Sequence, residues 1–140
     1  MSGYNFIMKK YIGLILICLT YSIPDAFAKT PGEVEVGGFL REAQLEGLSG
    51  PSSKLSKYRG KPLIINVWAS WCGPCRDEMA SLEKLARSGR KQFNVIGIST
   101  DDYREQALTF LRESNTTFTN YIDSNLLMEN MLGAERIPLT

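Results

Sequence analysis

The fold is decided by the stretch Leu63-Ile64-Ile65-Asn66-Val67-Trp68-Ala69-Ser70-Trp71-Cys72-Gly73-Pro74-Cys75. Its first half is a short, nearly continuous apolar run rich in β-branched residues, which is typical of a strand buried on both faces of a sheet. Its second half contains two cysteines, and Pro74 between them suits the first turn of a helix, where its missing N–H needs no partner. The stretch therefore predicts a strand, a tight turn and a helix that begins at the cysteines.

The two cysteines are predicted to form a redox-active pair. Residues three positions apart share one face of a helix, so the sulfur atoms of Cys72 and Cys75 can come within bonding distance. Cys72 lies at the positive end of the helix dipole, which favours a thiolate and lowers the thiol pKa from about 8.5 towards roughly 7 or below. Cys72 is then a nucleophile near neutral pH, and Cys75, one turn further along, can resolve a mixed disulfide.

Two other interpretations of the pair remain open at this point. A structural disulfide could use the same residues, although a loop closed over so few residues stabilises a chain little. Zinc would need about four ligands, and the chain has no His and only one further cysteine, Cys18. A metal site would therefore have to be shared with another chain, and we predict neither a metal nor a cofactor.

The active-site stretch resembles that of a known superfamily. Trp71-Cys72-Gly73-Pro74-Cys75 looks like the active site of thioredoxins, and the longer string from Lys61 to Met79 is similar to the TlpA/ResA-like thiol–disulfide oxidoreductases, which work outside the bacterial cytoplasm. The resemblance extends over Val36 to Thr140. It implies a three-layer α/β thioredoxin-like fold with a mixed central sheet, an N-terminal hairpin and a central strand–helix insertion.

The N-terminus has the pattern of a targeting segment. Lys9 and Lys10 precede an apolar run over residues 11–19, and Ala26-Phe27-Ala28 fits a small-x-small cleavage site. The apolar run is shorter than the about 20 residues that span a membrane comfortably. We predict cleavage after Ala28 and export to the periplasm. An uncleaved anchor in the inner membrane and a lipid on Cys18 are the alternatives.

Composition limits what the exported chain can be. Removal of residues 1–28 takes away two lysines and one aspartate and leaves a net charge of zero, with a single CxxC pair as the only thiols. Such a cysteine content suits a redox catalyst in an oxidising compartment. The mixed charges give no sign of nucleic-acid binding. We predict a flexible lead-in over residues 29–38 and one thioredoxin-like domain over residues 39–140.

Apolar periodicity predicts the remaining elements. Their alternation along the chain indicates an α/β sheet with mostly parallel connections. An apolar stripe is expected on the first helix at Met79, Leu82, Leu85 and Ala86. The predicted strands lie within 39–48 and at 54–55, 93–99 and 119–122, and the predicted helices run from the cysteines to about Arg87, from a capping box of Asp102 and Glu105, and over 126–132. The second helix is expected to bury Ala107, Phe110, Leu111 and Ser114. The third is expected to have a cap at Asp123-Ser124 and to end at Gly133.

The resemblance also implies roles for residues outside the cysteine pair. Ile137-Pro138 corresponds to a cis peptide bond that faces the cysteines, and the backbone of Ile137 would pair with a substrate strand. Asn66 stands where cytosolic thioredoxins have a buried Asp, and an amide cannot carry a proton for Cys75. Glu78 occupies the position that extracytoplasmic relatives use instead. A solvated acid in the first turn of the helix is the alternative for Glu78.

The residues beside the cysteines are expected to contact substrate. Trp71 is predicted to dock on a partner, together with Gly73 and Pro74, whereas Trp68 on the strand is predicted to lie in the core. The chain stops at Thr140, where the resembled fold continues with two strands and a helix. Their absence would leave a sheet edge and a sheet face bare.

The predicted function is that of a periplasmic thiol–disulfide oxidoreductase acting on proteins. The Gly-Pro dipeptide resembles that of reductases, so we expect the chain to reduce oxidised proteins such as apocytochrome c and to be recharged by a membrane electron donor of the DsbD/CcdA kind. A non-catalytic thioredoxin-like binding or chaperone module and a peroxiredoxin-like peroxidase are the alternatives. Peroxidase chemistry is disfavoured, since no Thr lies in residues 69–71.

Overall fold

The structure is a computed structural model and describes residues 29–140. The predicted signal segment, its cleavage site and Cys18 lie outside the described residues. Within residues 29–140, no helix has both the length and the apolar character needed to cross a membrane.

The described residues form a mixed five-stranded sheet with helices on both faces. The sheet order is β2-β1-β5-β4-β3, in which β3, β4 and β5 are parallel and β1 pairs antiparallel with both β2 and β5. The predicted α/β thioredoxin-like class and the N-terminal hairpin are confirmed. The elements are β1 (Gln44–Gly47), β2 (Ser53–Lys54), a 3₁₀ helix (Leu55–Tyr58), β3 (Leu63–Trp68), α1 (Gly73–Gly89), β4 (Asn94–Ser99), α2 (Arg104–Glu113), β5 (Thr119–Ile122) and α3 (Leu127–Leu132).

Two apolar clusters lie on opposite faces of the sheet and define the three layers. On one face, α1 and α2 pack on the sheet through Met79, Leu82 and Phe110, and this cluster also contains both cysteines. On the other face, Met128 and Met131 of α3 cover the strands. Strands β3 and β4 contribute to both clusters, because alternate side chains of a strand point to opposite faces. The active-site end of β3 is thus held from both sides.

The sequence predicts most buried positions of the two long helices correctly, but it misplaces one residue of α1 and the start of α2. Leu85 is exposed although the stripe of α1 predicts it to be buried, because it falls beside the row formed by Met79, Leu82 and Ala86. The capping box of Asp102 and Glu105 is wrong. Helix α2 begins at Arg104, its N-cap is Tyr103 in an extended conformation, and no side chain caps it.

Asp123 binds N–H groups at the start of the last helix, as predicted, although the helix begins at Leu127 and its N-cap residue is Leu126. Both oxygens of Asp123 accept hydrogen bonds from backbone N–H groups of α3, from Leu127 at 3.0 Å and from Glu129 at 2.9 Å. Gly133 ends the helix with a left-handed backbone, which glycine adopts without a steric penalty. A carboxylate suits this end of a helix because the N–H groups there lack intrahelical partners.

Glu83 joins α1 to the segment that leads into β5. Its carboxyl group accepts the N–H and O–H of Thr117, the N–H of Phe118 and the guanidinium N–H of Arg87. Burial acts to raise the pKa of Glu83, but these hydrogen bonds outweigh burial and lower the pKa to about 2. Glu83 therefore stabilises the fold through its ionised form.

We expect Glu83→Gln to lower the free energy of unfolding by about 1–3 kcal/mol at pH 7, because the buried donors lose a charged acceptor. A lowered pKa stabilises the fold above the unfolded-state pKa of about 4.3, and this contribution is lost as the pH falls towards about 2. The gap between wild type and variant should shrink to about half by pH 3, as measured by urea unfolding. Glu105→Gln, at an exposed glutamate of α2, is the control. A gap that stays constant between pH 7 and pH 3 contradicts this role.

Candidate active site

The cysteine pair lies where the carboxyl end of β3 turns into α1. Cys72 is the N-cap residue of α1, and Pro74 occupies its first turn, as predicted. A disulfide joins Cys72 and Cys75, with an S–S distance of 2.02 Å and a Cα–Cα distance of 5.3 Å. The N–H of Cys75 donates a hydrogen bond to the Sγ of Cys72 at 3.2 Å. The structure therefore brings together the two residues that the spacing predicts.

The two sulfur-bearing residues differ in their access to solvent. Cys72 is 5% exposed and Cys75 is fully buried. The residues around them are open: Trp71 is 70% exposed, and Gly73 and Pro74 are also exposed. An incoming disulfide would therefore meet Cys72 first. This order of access is the one expected of an attacking and a resolving cysteine.

The segment at Ile137-Pro138 lies beside the strand that leads to the cysteines. The Ile137–Pro138 peptide bond is cis, as the resemblance predicts. The next residue, Leu139, exchanges two backbone hydrogen bonds with Val67 of β3, and the side chain of Ile137 packs on the cluster that contains both cysteines. Within residues 29–140, the N–H and C=O of Ile137 form no backbone hydrogen bond.

Glu78 of α1 is hydrogen-bonded to Asn66, a buried residue of β3. The side-chain N–H of Asn66 donates to Glu78 Oε1 at 2.6 Å and to Thr140 Oγ1 at 2.9 Å. Asn66 is fully buried, and its Oδ1 has no hydrogen-bond partner among residues 29–140. Glu78 is half-buried in the second turn of α1, one turn after Cys75. It is therefore not the solvated first-turn acid that we considered as its alternative.

Trp68 supports the site from the core, as predicted. Its ring stacks on Phe110 with a centroid distance of 4.8 Å, and its indole N–H donates to Asn120 Oδ1 at 2.9 Å. Gly97 of β4 lies directly beneath this bond, since a Cβ atom there would lie 1.8 Å from Asn120 Oδ1. The hydrogen-bonded indole fixes the end of β3 from which the active-site turn departs.

One buried polar residue of the site is not predicted from the sequence. Asp101, two residues after the end of β4, is 1% exposed, and both of its carboxyl oxygens accept the N–H of Ser70. The available signal was its position: the carboxyl ends of parallel strands meet at one edge of a sheet, where ligands and reacting groups collect. Its neighbour Asp102, and not Asp101, has a sequence-predicted role, as part of a helix cap.

The remaining charged side chains near the cysteines do not form a metal cluster. Within the described part of the chain, no group of three or more His, Cys, Asp or Glu residues is placed to hold a metal ion. The guanidinium of Arg76 lies 4.9 Å from the centre of the Phe110 ring and 3.3 Å from a carboxyl oxygen of Glu113.

Known proteins with a similar sequence or fold include thiol–disulfide oxidoreductases. Residues 36–138 match the AhpC/TSA family. The chain is 30% identical to thioredoxin-like protein YneN of Bacillus subtilis over 83% of this chain and 73% of that protein. It is 29% identical to the thiol-disulfide oxidoreductase ResA of Geobacillus thermodenitrificans over 97% and 79%, respectively. A crystal structure of a secreted Mycobacterium tuberculosis disulfide oxidoreductase homologous to Escherichia coli DsbE superposes with a TM-score of 0.57 at 27% identity, covering 61% of this chain and 63% of that one.

Proposed function

This chain belongs to the AhpC/TSA family and is a thiol–disulfide oxidoreductase of the DsbE/ResA type, and we propose that it acts in the periplasm as a reductase of protein disulfides. The observation that carries the proposal is the hydrogen bond from the Cys75 N–H to the Cys72 Sγ at the start of α1. In the reduced enzyme, the same donor and the helix dipole would stabilise a thiolate on Cys72.

The proposed reaction passes through a mixed disulfide. The Cys72 thiolate attacks one sulfur of the substrate disulfide, so a bond forms between the two proteins and the substrate's other sulfur leaves as a thiolate that takes up a proton. Cys75 then loses its proton and attacks the Cys72 Sγ, which releases the second substrate thiol. The substrate gains two electrons and two protons, and the enzyme is left with the Cys72–Cys75 disulfide. A membrane dithiol donor of the DsbD/CcdA kind would reduce that bond again.

The exposed groups around Cys72 suit a protein substrate. Trp71 presents a large apolar surface, and the backbone of Ile137 can add a strand of substrate by β-augmentation. A cleft of about 360 Å³ opens beside the turn, with Phe110 and Arg76 in its lining. We propose that Trp71, Gly73, Pro74, Ile137 and Pro138 contact the segment of substrate that carries the disulfide.

The direction of the reaction is set by the reduction potential of the pair. Reducing thioredoxin lies near about −270 mV and the oxidant DsbA near about −120 mV. The Gly-Pro dipeptide resembles that of reductases, which supports a reduction potential towards the reducing end. We propose oxidised envelope proteins, apocytochrome c among them, as the substrates.

Substitution of the cysteines separates this function from its alternatives. We expect Cys72→Ser to lose the acceleration of insulin reduction above the rate of dithiothreitol alone, because the remaining cysteine of the pair, Cys75, is buried. Cys75→Ser should still attack and should accumulate mixed disulfides with envelope proteins, seen as bands that disappear on reduction. A non-catalytic binding module would give no such bands, and rapid peroxide consumption by Cys75→Ser would instead indicate a peroxidase. Either result contradicts the proposal.

Glu78 is proposed to carry the proton that Cys75 loses. Its carboxyl group lies one helical turn from Cys75 and is held by Asn66, so it sits on the face that the resolving sulfur uses. Glutamine keeps the acceptor for Asn66 but cannot take up a proton. Substitution by glutamine therefore separates the proposed proton transfer from the hydrogen bond with Asn66.

We expect Glu78→Gln to slow the resolving step about 100-fold, the lower range for loss of a general acid–base group, while attack by Cys72 changes little. Rapid-quench measurement of the mixed disulfide should show normal formation and slow decay. Asp77→Asn, at the adjacent exposed carboxyl, is the matched control and should decay like wild type. Equal decay in wild type and Glu78→Gln would rule out this role.

The proposed location rests on residues 1–28 and on the secreted relative. If the segment is cleaved after Ala28, N-terminal sequencing of the protein recovered from the periplasm should begin at Lys29. A mature form that retains the apolar run and sediments with the inner membrane would contradict cleavage and favour the tethered alternative.

A further inference from the structure

A buried carboxyl group lies behind the active-site turn and takes no part in the chemistry proposed above. Asp101 is 1% exposed. Its Oδ1 and Oδ2 accept the N–H of Ser70 at 3.1 and 2.9 Å, and the hydroxyl of Ser70 also donates to Oδ1. The hydroxyl of Ser99, the last residue of β4, donates to Oδ2 at 2.8 Å. Every polar group that reaches this carboxyl group thus belongs to the turn or to the end of β4.

These bonds tie the turn between β3 and α1 to the neighbouring strand. Next to them, the N–H of Thr100 donates to the carbonyl of Trp68 at 2.9 Å. Further along the turn, the N–H of Cys72 donates to the carbonyl of Ala69 at 3.1 Å. Ser70 is therefore the one residue between β3 and Cys72 whose backbone and side chain are both held by a group outside the turn.

A buried carboxyl group destabilises a fold unless hydrogen bonds compensate for its lost solvation. Here the compensating donors are concentrated on Ser70, two residues before Cys72. We propose that Asp101 is a positioning residue that fixes the turn over residues 69–72 and so keeps the Cys72 Sγ at the start of α1. The inference rests on the proposed function, because position matters only if Cys72 is the attacking thiol.

Asp101 could affect Cys72 by positioning the turn or by its negative charge. The two roles predict opposite shifts in the pKa of Cys72 when Asp101 is removed, so the direction of the shift distinguishes them. If Asp101 acted mainly as a nearby negative charge, its removal would favour the thiolate, lower the pKa of Cys72 and speed its reactions. If Asp101 positions the turn, its removal lets the sulfur leave the helix N-terminus. The pKa of Cys72 would then rise towards the about 8.5 of a free thiol, and the exchange rate would fall.

The test uses the reduced full chain and compares wild type, Asp101→Ala, Asp101→Asn and the matched control Asp102→Ala, at the exposed neighbour. The pH dependence of iodoacetamide alkylation gives the pKa of Cys72, and exchange with a small disulfide at pH 7 gives the rate. We expect Asp101→Ala to raise the pKa and to slow exchange at least about tenfold, since even small misplacement of a reacting group is costly. Asp101→Asn, which keeps one acceptor for the Ser70 N–H, should lie between, and Asp102→Ala should match wild type.

An unchanged or lowered pKa of Cys72 in Asp101→Ala overturns the inference, even if the melting temperature of the variant falls. A residue that only stabilises the fold would lower the melting temperature and leave this pKa unchanged. If Asp101→Ala does not fold, Asp101→Asn decides by the same criterion. The other charged groups near the turn, Arg76 and Glu78, keep their partners Glu113 and Asn66 in every variant. A wild-type pKa near 8.5 would instead contradict the proposed function, so the two failures can be told apart.

Discussion

The start of helix α1 is fixed by the hydrogen bond in which the Cys75 N–H donates to the Cys72 Sγ, 3.2 Å away. In most helices an oxygen-bearing side chain takes this N-cap position and accepts one of the N–H groups that lack intrahelical partners. Here a sulfur atom takes it. The same donor that caps the helix can therefore stabilise negative charge on the sulfur, so the structural and chemical roles of Cys72 depend on one contact.

The rest of the fold keeps that contact in place from two sides. On one side, Asn66 of β3 holds Glu78 of α1 at 2.6 Å and so joins strand to helix below the cysteines. On the other side, Asp101 holds Ser70 in the turn that connects them. Asn66 lies on β3 and Asp101 lies two residues after β4, and the carboxyl ends of these neighbouring parallel strands meet at the same sheet edge. The parallel pairing of β3 and β4 is thus what allows two separate polar groups to support a single turn.

Much of this arrangement could be predicted from the sequence, because it follows from local patterns. The apolar run to Trp68, the cysteine spacing and Pro74 indicate strand, turn and helix, and the structure has all three in place. The role of Asp101 could not be predicted, since its partner Ser70 lies 31 residues away and only the pairing of β3 with β4 brings them together. The capping box at Asp102 is wrong for a related reason: the residue that precedes the helix is Tyr103, and local side-chain preference does not specify the residue at which a helix begins.

The proposed chemistry requires that the Cys72 thiol ionises readily, and the absorbance of the thiolate near 240 nm reports this ionisation in the reduced protein. Titration of wild type and Cys75→Ser should show Cys72 ionising with a pKa of roughly 7 or below, as for a thiolate held at a helix N-terminus. A pKa of about 8.5, the value of a free cysteine, would contradict a Cys72 thiolate stabilised at the start of α1.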